Sequence, residues 1–209
     1  MSEYVIKVKN AVKRFKETCA LDHVSLNFEK GQIHGLVGRN GSGKTVLFKC
    51  ICGLMTLTEG EILINGEPIR PAKAQNIGVI IENPGFIGAK SGMKNLCYLA
   101  ALRGTITKEQ AAETMRRVGL DPESRKHVSK YSLGMRQRLG IAQAIMENPD
   151  ILILDEPMNG LDNTGVQDIR GLLLELKAQG KTILLASHNR EDISVLCDTV
   201  HEMDGGKFL

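Results

Sequence analysis

A glycine-rich segment, residues 38–45, contains the residue types that hold the phosphates of a nucleotide. It reads Gly-Arg-Asn-Gly-Ser-Gly-Lys-Thr and matches the pattern G-x-x-x-x-G-K-[ST] at every fixed position. Its glycines permit a tight turn that aims backbone N–H groups inward, and a helix starting here adds about half a positive charge. We expect Lys44 to reach the β- and γ-phosphates and the Thr45 hydroxyl to hold Mg²⁺. The other candidate contacts are Gly38, Asn40, Gly41, Ser42 and Gly43.

Two adjacent carboxylates, Asp155 and Glu156, follow an apolar run at residues 151–154 that predicts a buried strand. Such a strand delivers both side chains to the sheet edge where a triphosphate is expected. Asp155 is predicted to hold Mg²⁺, directly or through a water, because this ion prefers oxygen ligands. Glu156 is predicted to act as the general base that orients the attacking water. An acidic pair that only starts a helix is the alternative interpretation.

A serine and a histidine, Ser187 and His188, end the next predicted strand at residues 182–186. His188 could bridge the γ-phosphate and the attacking water, provided that a neighbouring backbone group fixes its tautomer. The remaining histidines lack this context, and we expect them to be structural or exposed: His23, His34, His127 and His201.

A third segment, residues 131–138, reads Tyr-Ser-Leu-Gly-Met-Arg-Gln-Arg and lies at the start of a predicted helix. Ser132 and the N–H groups that follow it could grip a phosphate as the first loop does. One chain cannot easily use both sites on the same nucleotide. A plain helix cap is the alternative interpretation of this segment.

Composition limits the class of protein. With 209 residues, of which 42% are hydrophobic, the chain can build one domain or a core with a small inserted lobe. Its net charge is +3, and residues of both charges are mixed along the sequence. No long block of like charge indicates a nucleic-acid partner. The longest apolar runs fall far short of the roughly 20 residues that span a bilayer. The N-terminus lacks the pattern of a secretory signal, so a cytoplasmic location is expected.

The five cysteines, an odd number, are expected to be reduced core residues. Two of them, Cys50 and Cys52, are spaced so that a helix points their thiols to different faces, which makes a poor metal site.

Strands and helices alternate along most of the chain. A capping box at Thr107 and Gln110 predicts a helix that Gly119 ends, and Gly180 is predicted to cap another. Asn65-Gly66 predicts a hairpin turn. The region from about residue 84 to 138 is predicted to be helical. The predicted strands lie at residues 5–8, 24–28, 33–37, 61–64, 78–81, 151–154, 182–186 and 199–203. This alternation predicts an α/β fold with a mostly parallel sheet.

Together these motifs resemble the nucleotide-binding domain of ATP-binding cassette transporters over essentially the whole chain. Residues 38–45 are similar to its Walker A loop, residues 151–156 to its Walker B strand, and residues 159–162, ending in Asp162, to its D-loop. His188 resembles its switch histidine, and Phe15 is similar in position to the aromatic residue that stacks on adenine.

The resemblance implies ATP and Mg²⁺ as cofactors and a P-loop NTPase core with an N-terminal antiparallel β-subdomain. The core is predicted at residues 1–83 and 139–209, and an inserted α-helical lobe at residues 84–138. In the family two domains pair head to tail, so Ser132 and Gly134 of one subunit would close over the ATP held by Lys44 of the other.

The same resemblance implies partners and a location. The partners are a second nucleotide-binding domain, in a homodimer or a heterodimer, and an integral membrane permease subunit that docks near residues 83–102. Phe86 and Ile87 are candidate contacts, although Phe86 could equally belong to the core. The chain would lie in the cytoplasm, on the inner face of the membrane. Family members often continue beyond the position of Leu209, which leaves open whether the natural chain is longer.

Two positions depart from the common pattern of the family. The signature usually reads L-S-G-G-Q, and here residues 131–135 read Tyr-Ser-Leu-Gly-Met, which predicts a weaker grip on the γ-phosphate. Glu82 stands where the family's Q-loop glutamine is expected; its carboxylate can still coordinate Mg²⁺, but an unpaired charge near the phosphates would be unfavourable. Both departures resemble the subgroup that exports bacitracin and lantibiotics.

Three other functions stay open at this point. A cassette ATPase of cluster assembly would share these motifs without engaging in transport. A small-molecule kinase would share the phosphate loop, although the signature segment fits it poorly. A regulatory module would hold the nucleotide without turnover.

Overall fold

The structure is a computed structural model and describes residues 4–69, 76–82 and 84–209. Within these residues the chain forms two β-sheets, of four and six strands, and six α-helices. In chain order the strands are β1 (Tyr4–Phe15), β2 (Thr18–Glu29), β3 (Ile33–Val37), β4 (Glu59–Ile64), β5 (Glu67–Pro68), β6 (Ile77–Ile80), β7 (Ile151–Asp155), β8 (Thr182–Ala186), β9 (Thr199–Asp204) and β10 (Lys207–Phe208). The helices are α1 (Lys44–Ile51), α2 (Gly92–Arg103), α3 (Lys108–Arg117), α4 (Leu133–Ile145), α5 (Asn163–Ala178) and α6 (Arg190–Leu196).

The four-stranded sheet has the order β2-β1-β4-β5, and every pair in it is antiparallel. The predicted hairpin at Asn65 and Gly66 is confirmed, since both residues have positive φ (52° and 82°) and join β4 to β5. This sheet is the antiparallel N-terminal part that the resemblance implied.

The six-stranded sheet has the order β10-β9-β3-β8-β7-β6. All of its pairings are parallel except that of β10 with β9, which confirms a mostly parallel sheet. β3, β7 and β8 are adjacent, so the residues that follow them meet at one edge. The predicted strands at residues 33–37 and 182–186 match β3 and β8.

Two hydrophobic clusters cover the two faces of this sheet because neighbouring side chains on a strand point to opposite sides. Ile153 and Leu184 face α1 and the antiparallel sheet. Leu152 and Leu185, one position away on the same strands, face a cluster that includes buried residues of α2 to α6. The strands that carry the site are thus buried on both sides.

The segment between β6 and β7 contains α2, α3 and α4. The predicted capping box is confirmed, because the Thr107 hydroxyl accepts from the Gln110 backbone and the Gln110 side chain accepts from the Thr107 backbone. Gly119, with φ 75°, lies just beyond the end of α3. The division of the chain at positions 83 and 138 stays a prediction; Asn83 itself lies outside the described residues, and α4 runs through position 138 as one helix.

The expectation that all five cysteines are core residues is wrong. Cys50 is buried, Cys19 is exposed, and the other three are partly buried. Cys19 lies near the β1–β2 turn, outside both hydrophobic clusters. No helix among the described residues has both the length and the apolar character required to cross a membrane.

Candidate active site

The loop of residues 38–43 joins the end of β3 to the start of α1. Gly38, Gly41 and Gly43 have φ values of 151°, 82° and 109°, which L side chains rarely adopt. A Cβ on Gly38 would lie 2.2 Å from the Met203 carbonyl oxygen, and one on Gly43 would lie 2.6 Å from that of Ala20. The loop therefore needs glycine at these two positions for space as well as for backbone conformation.

The side chain of Lys44 folds back onto the loop that precedes it. Its Nζ donates to the carbonyl oxygens of Gly38, at 2.7 Å, and Arg39, at 3.1 Å. The loop and α1 line a cavity of about 470 Å³ together with Asp155 and Glu156. A lysine ammonium and a helix N-terminus at one cavity favour a polyanion. Asn40, Gly41, Ser42, Gly43 and Thr45 also line this cavity.

Asp155 is the last residue of β7, and its carboxylate faces the first turn of α1. Its Oδ2 accepts a hydrogen bond of 2.7 Å from Thr45 Oγ1. The hydroxyl and the carboxylate, predicted from separate motifs, are thus in direct contact beside the phosphate loop. Both are the hard oxygen donors that Mg²⁺ prefers, so this pair fits a magnesium site.

Glu156, which lines the cavity, forms a hydrogen-bonded pair with His188. Glu156 has φ 52°, and its backbone N–H donates to the Ala186 carbonyl at 2.9 Å, which ties the turn after β7 to the end of β8. Glu156 Oε2 lies 2.8 Å from His188 Nδ1. Because an ionised carboxylate only accepts, the proton of this bond lies on Nδ1. A carboxylate, and not the backbone group that we expected, therefore orients the imidazole.

The turn that carries His188 rests on buried polar groups of α5 and α6. Ser187 Oγ donates to Asp192 Oδ2 at 3.2 Å, and Arg170 Nε and Nη2 donate to Asp192 Oδ1 at 2.9 and 2.6 Å. Arg170 also donates to Glu191 at 3.0 Å, which lowers the pKa of that carboxyl. The pattern of the sequence did not indicate this support, since its members come from two different helices.

Glu82 follows β6 and also lines the cavity. Its Oε1 lies 2.6 Å from Nζ of Lys49, a residue of α1. The expected cost of an unpaired charge near the phosphates therefore does not arise, because a cation that the motif did not include neutralises it. Glu82 has φ 59°.

Two polar residues that line the cavity, Gln137 and Asn159, were not among the predicted contacts, although both belong to segments with predicted roles. Gln137 is a largely buried residue of α4 whose Nε2 donates to the Glu156 carbonyl at 3.1 Å. The signal that could have identified it is a polar residue on the apolar face of a predicted helix. Gln137 links the inserted helices directly to the turn that carries Glu156.

Ser132, Gly134 and Asp162 lie elsewhere, on a second cavity of about 540 Å³ that shares no lining residue with the first. Ser132 caps α4 by accepting from Met135 N at 3.2 Å, and Asp162 caps α5 by accepting from Gly165 N at 2.9 Å. The cap interpretation of Ser132 is thus correct for the single chain. The structure does not bring these three residues to Lys44.

Phe15 is the last residue of β1 and does not line the first cavity, although Ala20 on the neighbouring strand does. Its ring is 43% exposed, and Lys13 Nζ lies 5.1 Å from the ring centroid. An exposed ring leaves a surface on which a base can stack, and the assignment of Phe15 to adenine stays a prediction.

Comparison with known proteins agrees with this geometry. A family model described as ABC transporter matches residues 21–159. The uncharacterized ABC transporter ATP-binding protein YybJ of Bacillus subtilis (strain 168) is 44% identical over 206 residues, which cover 98% of this chain and 94% of that protein. The bacitracin transport ATP-binding protein BcrA of Enterococcus faecalis is 42% identical over 211 residues, covering 99% of this chain and 68% of BcrA.

A solved structure, the dimeric MJ0796, a bacterial ABC transporter cassette, is 26% identical with a TM-score of 0.89 and covers 97% of this chain and 96% of its own. The predicted resemblance and fold class are confirmed by these matches together with the sheet order. The chain belongs to the ABC transporter family, as an ATP-binding subunit that hydrolyses ATP.

Proposed function

We propose that this subunit binds Mg-ATP between residues 38–45 and Asp155, and that a second nucleotide-binding domain completes each site. The observation that carries the proposal is the presence of two separate cavities. One contains Lys44 and the catalytic carboxylate, and the other presents the capped start of α4. Head-to-tail pairing would bring Ser132 and Gly134 of one subunit onto the nucleotide held by the other.

Hydrolysis in this proposal depends on Glu156 and His188. Glu156 accepts the proton of the attacking water, and its hydrogen bond to His188 fixes the direction of that carboxylate. With its proton on Nδ1, neutral His188 presents Nε2 as an acceptor for a hydrogen bond from the attacking water, whereas donation from Nε2 to the γ-phosphate would require the doubly protonated ring. The ammonium of Lys44 and the N–H groups of the loop stabilise the charge that develops on the phosphate oxygens.

Magnesium would be held by Thr45 and Asp155, with Glu82 as a further ligand. The contact between Thr45 and Asp155 supports this assignment, since both oxygens converge at one point. When bound, the ion neutralises charge on the phosphates. Glu82 bonds Lys49 through Oε1, so its other carboxylate oxygen would be available for this role.

Transport requires a membrane partner, and we propose a separate permease that docks beside the inserted helices, with the subunit on the cytoplasmic face of the membrane. Apolar side chains are exposed in this region, where Ile87 is 50%, Tyr98 48% and Leu102 81% exposed. Phe86, by contrast, packs against the core, which favours Ile87 over Phe86 as a contact. The expected docking region includes Asn83, which lies outside the described residues.

The proposed cargo is a peptide antibiotic or a similar molecule, moved by export. The support is the name of BcrA as a bacitracin transport protein and its 42% identity to this chain. Loss of bacitracin resistance in a strain that lacks this subunit, restored by the unaltered gene but not by a Lys44→Ala version, would test this assignment. Unchanged sensitivity to peptide antibiotics would contradict it.

Replacement of Ser132 by arginine tests the paired subunits. We expect turnover of ATP to fall about tenfold or more, because a large cation at the start of α4 displaces the partner's nucleotide. Binding of ATP by the single subunit should stay within about twofold, since Ser132 does not line the cavity of Lys44. Turnover and ATP affinity are measured side by side, and circular dichroism checks folding because the cap itself stabilises α4.

Ser194→Arg, at an exposed position of α6, is the matched control and should hydrolyse ATP normally. Turnover of Ser132→Arg at the rate of the unaltered chain would contradict the paired site.

The pairing of Lys49 with Glu82 gives a second expected result. We expect Lys49→Met to lower turnover about two- to fivefold, as the loss of a partly exposed ion pair implies. In a chain that already carries Glu82→Gln, the same replacement should have no further effect, since the charge that Lys49 balances is gone. Turnover is measured for the unaltered chain, the two single replacements and the double replacement, which form a double-mutant cycle. Equal losses on replacing Lys49 with and without Glu82→Gln would show that Lys49 acts independently of Glu82.

A further inference from the structure

Leu133 stands where the common family pattern has a glycine, and it is the first residue of α4. Its side chain is 54% exposed, so it adds little to the hydrophobic core. The buried part of Leu133 contacts Gly160, in the turn that precedes α5. The replacement in the signature is therefore accommodated by a second residue, 27 positions along the chain.

Gly160 leaves a notch that the Leu133 side chain fills. A Cβ built on Gly160 would lie 2.4 Å from Leu133 Cδ2 and Cγ and 3.1 Å from Leu133 Cβ. Gly160 also has φ 75°, which disfavours other residues. Non-bonded carbon atoms cannot approach to 2.4 Å. A leucine at position 133 in this orientation therefore requires the absence of a side chain at position 160.

A second contact joins the same two segments. A Cβ on Gly134 would lie 2.8 Å from the Gly160 carbonyl oxygen, so the first turn of α4 packs directly on this backbone. Ser132 and Asp162, the caps of α4 and α5, flank these contacts and line the second cavity together. The separation of the two helix starts in that cavity is thus set by Leu133, Gly134 and Gly160.

We propose that Leu133 is a positioning residue. Its side chain packs on Gly160 and thereby fixes the position of Ser132 relative to residues 159–162. The altered signature can then still contact the partner's ATP. The proposal rests on the paired sites proposed above. Leu133 does not line the cavity that contains Lys44 and Glu156 of its own chain, so in this proposal it acts through the placement of Ser132.

The test is a reciprocal exchange of side-chain volume. Gly160→Ala should displace the Leu133 side chain from its contact with residue 160 and lower turnover about tenfold, because small displacements near reacting groups have large effects on rate. Leu133→Ala alone should lower turnover a few fold. The double replacement Leu133→Ala with Gly160→Ala should recover at least about fivefold over Gly160→Ala, because the new methyl group refills the space that leucine left.

The matched control is Gly180→Ala. Gly180 also has a positive φ, of 84°, but a Cβ there meets nothing within 4 Å. It therefore introduces the same kind of backbone strain without the clash. Its turnover should match that of the unaltered chain once equal folding is confirmed by thermal denaturation.

A second readout separates positioning from general stability. Each replacement is also made in a Glu156→Gln chain, and ATP-dependent dimer formation is followed by light scattering after gel filtration. ATP affinity of the single subunit should be equal in all chains, whereas dimer formation should weaken with Gly160→Ala and recover in the double replacement. A stability defect would instead lower ATP affinity and the melting temperature together.

Two results would overturn the proposal, namely Gly160→Ala turnover equal to that of Gly180→Ala, or a double replacement no better than Gly160→Ala. If the Glu156→Gln chain without further changes stays monomeric in ATP, the paired-site function fails, and this proposal with it. If that chain dimerises normally and the exchange shows no rescue, only the role of Leu133 fails.

Discussion

Replacement of Glu156 by glutamine is expected to lower ATP turnover by about 10² to 10⁴, the usual contribution of a general base. Glutamine keeps the size and polarity of the side chain but cannot accept the proton of the attacking water. Asp155 and Lys44 are unchanged in this variant, so ATP should bind as before. The measurement is the release of phosphate under saturating ATP, together with the dissociation constant of ATP from the same preparation.

The reason for expecting so large an effect is the geometry around Glu156. Its carboxylate lies at the cavity, 30% exposed and bonded to His188, while its backbone is tied to Ala186. Such a group is held in place before the substrate arrives, which is what a catalytic base requires. Among the acidic residues of the cavity, Asp155 bonds Thr45 and Glu82 bonds Lys49, so Glu156 is the carboxylate oriented by a histidine.

A control for Glu156→Gln is Glu113→Gln, which removes an exposed carboxylate of α3 that lines neither cavity of the proposed site. It should leave turnover unchanged. A Glu156→Gln subunit that hydrolysed ATP at the unaltered rate would show that another group activates the water. Retained ATP binding with lost turnover would instead support the assigned role.

Replacement of Lys44 by alanine is expected to abolish measurable ATP binding, with a loss of about 10²-fold or more. A charged hydrogen bond to phosphate contributes about 1.5 to 3 kcal/mol, and Lys44 can make more than one. The ammonium also bonds the carbonyl oxygens of Gly38 and Arg39, so its loss leaves the loop less well ordered. Isothermal titration with ATP measures the affinity, and the melting temperature without nucleotide reports the effect on folding.

Lys108→Ala, at an exposed position near the start of α3, is the control that removes a lysine without touching the cavity. Its ATP affinity should equal that of the unaltered chain. If Lys44→Ala bound ATP within threefold of the unaltered chain, the phosphates would have to lie outside the loop of residues 38–45, and the site would need to be assigned again.

The two replacements are expected to differ in kind. Lys44→Ala acts on binding, so it should also prevent ATP-dependent dimer formation. Glu156→Gln acts on the chemical step, so it should permit the dimer and prolong it. Light scattering of the Lys44→Ala and Glu156→Gln subunits, with and without ATP, distinguishes loss of ATP binding from loss of ATP hydrolysis.

Much of the fold could be predicted because its elements leave local patterns. Residues 33–37 and 182–186 are short, mainly apolar runs bounded by polar residues or glycine, and both are strands as predicted. The helix α6 was missed, since its seven residues, Arg-Glu-Asp-Ile-Ser-Val-Leu, are too few to show helical periodicity. The two-residue strand β10 has no pattern of its own and exists through its pairing with β9.

The sequence by itself determined the chemistry of the site. Lys44, Thr45, Asp155 and Glu156 occur in short motifs whose backbone conformation is local, so residue type and spacing are enough to predict phosphate and magnesium contacts. The tertiary structure decided which groups meet. The contacts of Glu82 with Lys49, of Glu156 with His188 and of Leu133 with Gly160 join residues about 30 positions apart.

Only packing could decide these contacts, because the separation of such residues depends on how strands and helices are stacked and not on the pattern within any one of them. The same packing placed Ser132 on a different cavity from Lys44, although each lies at the start of a helix.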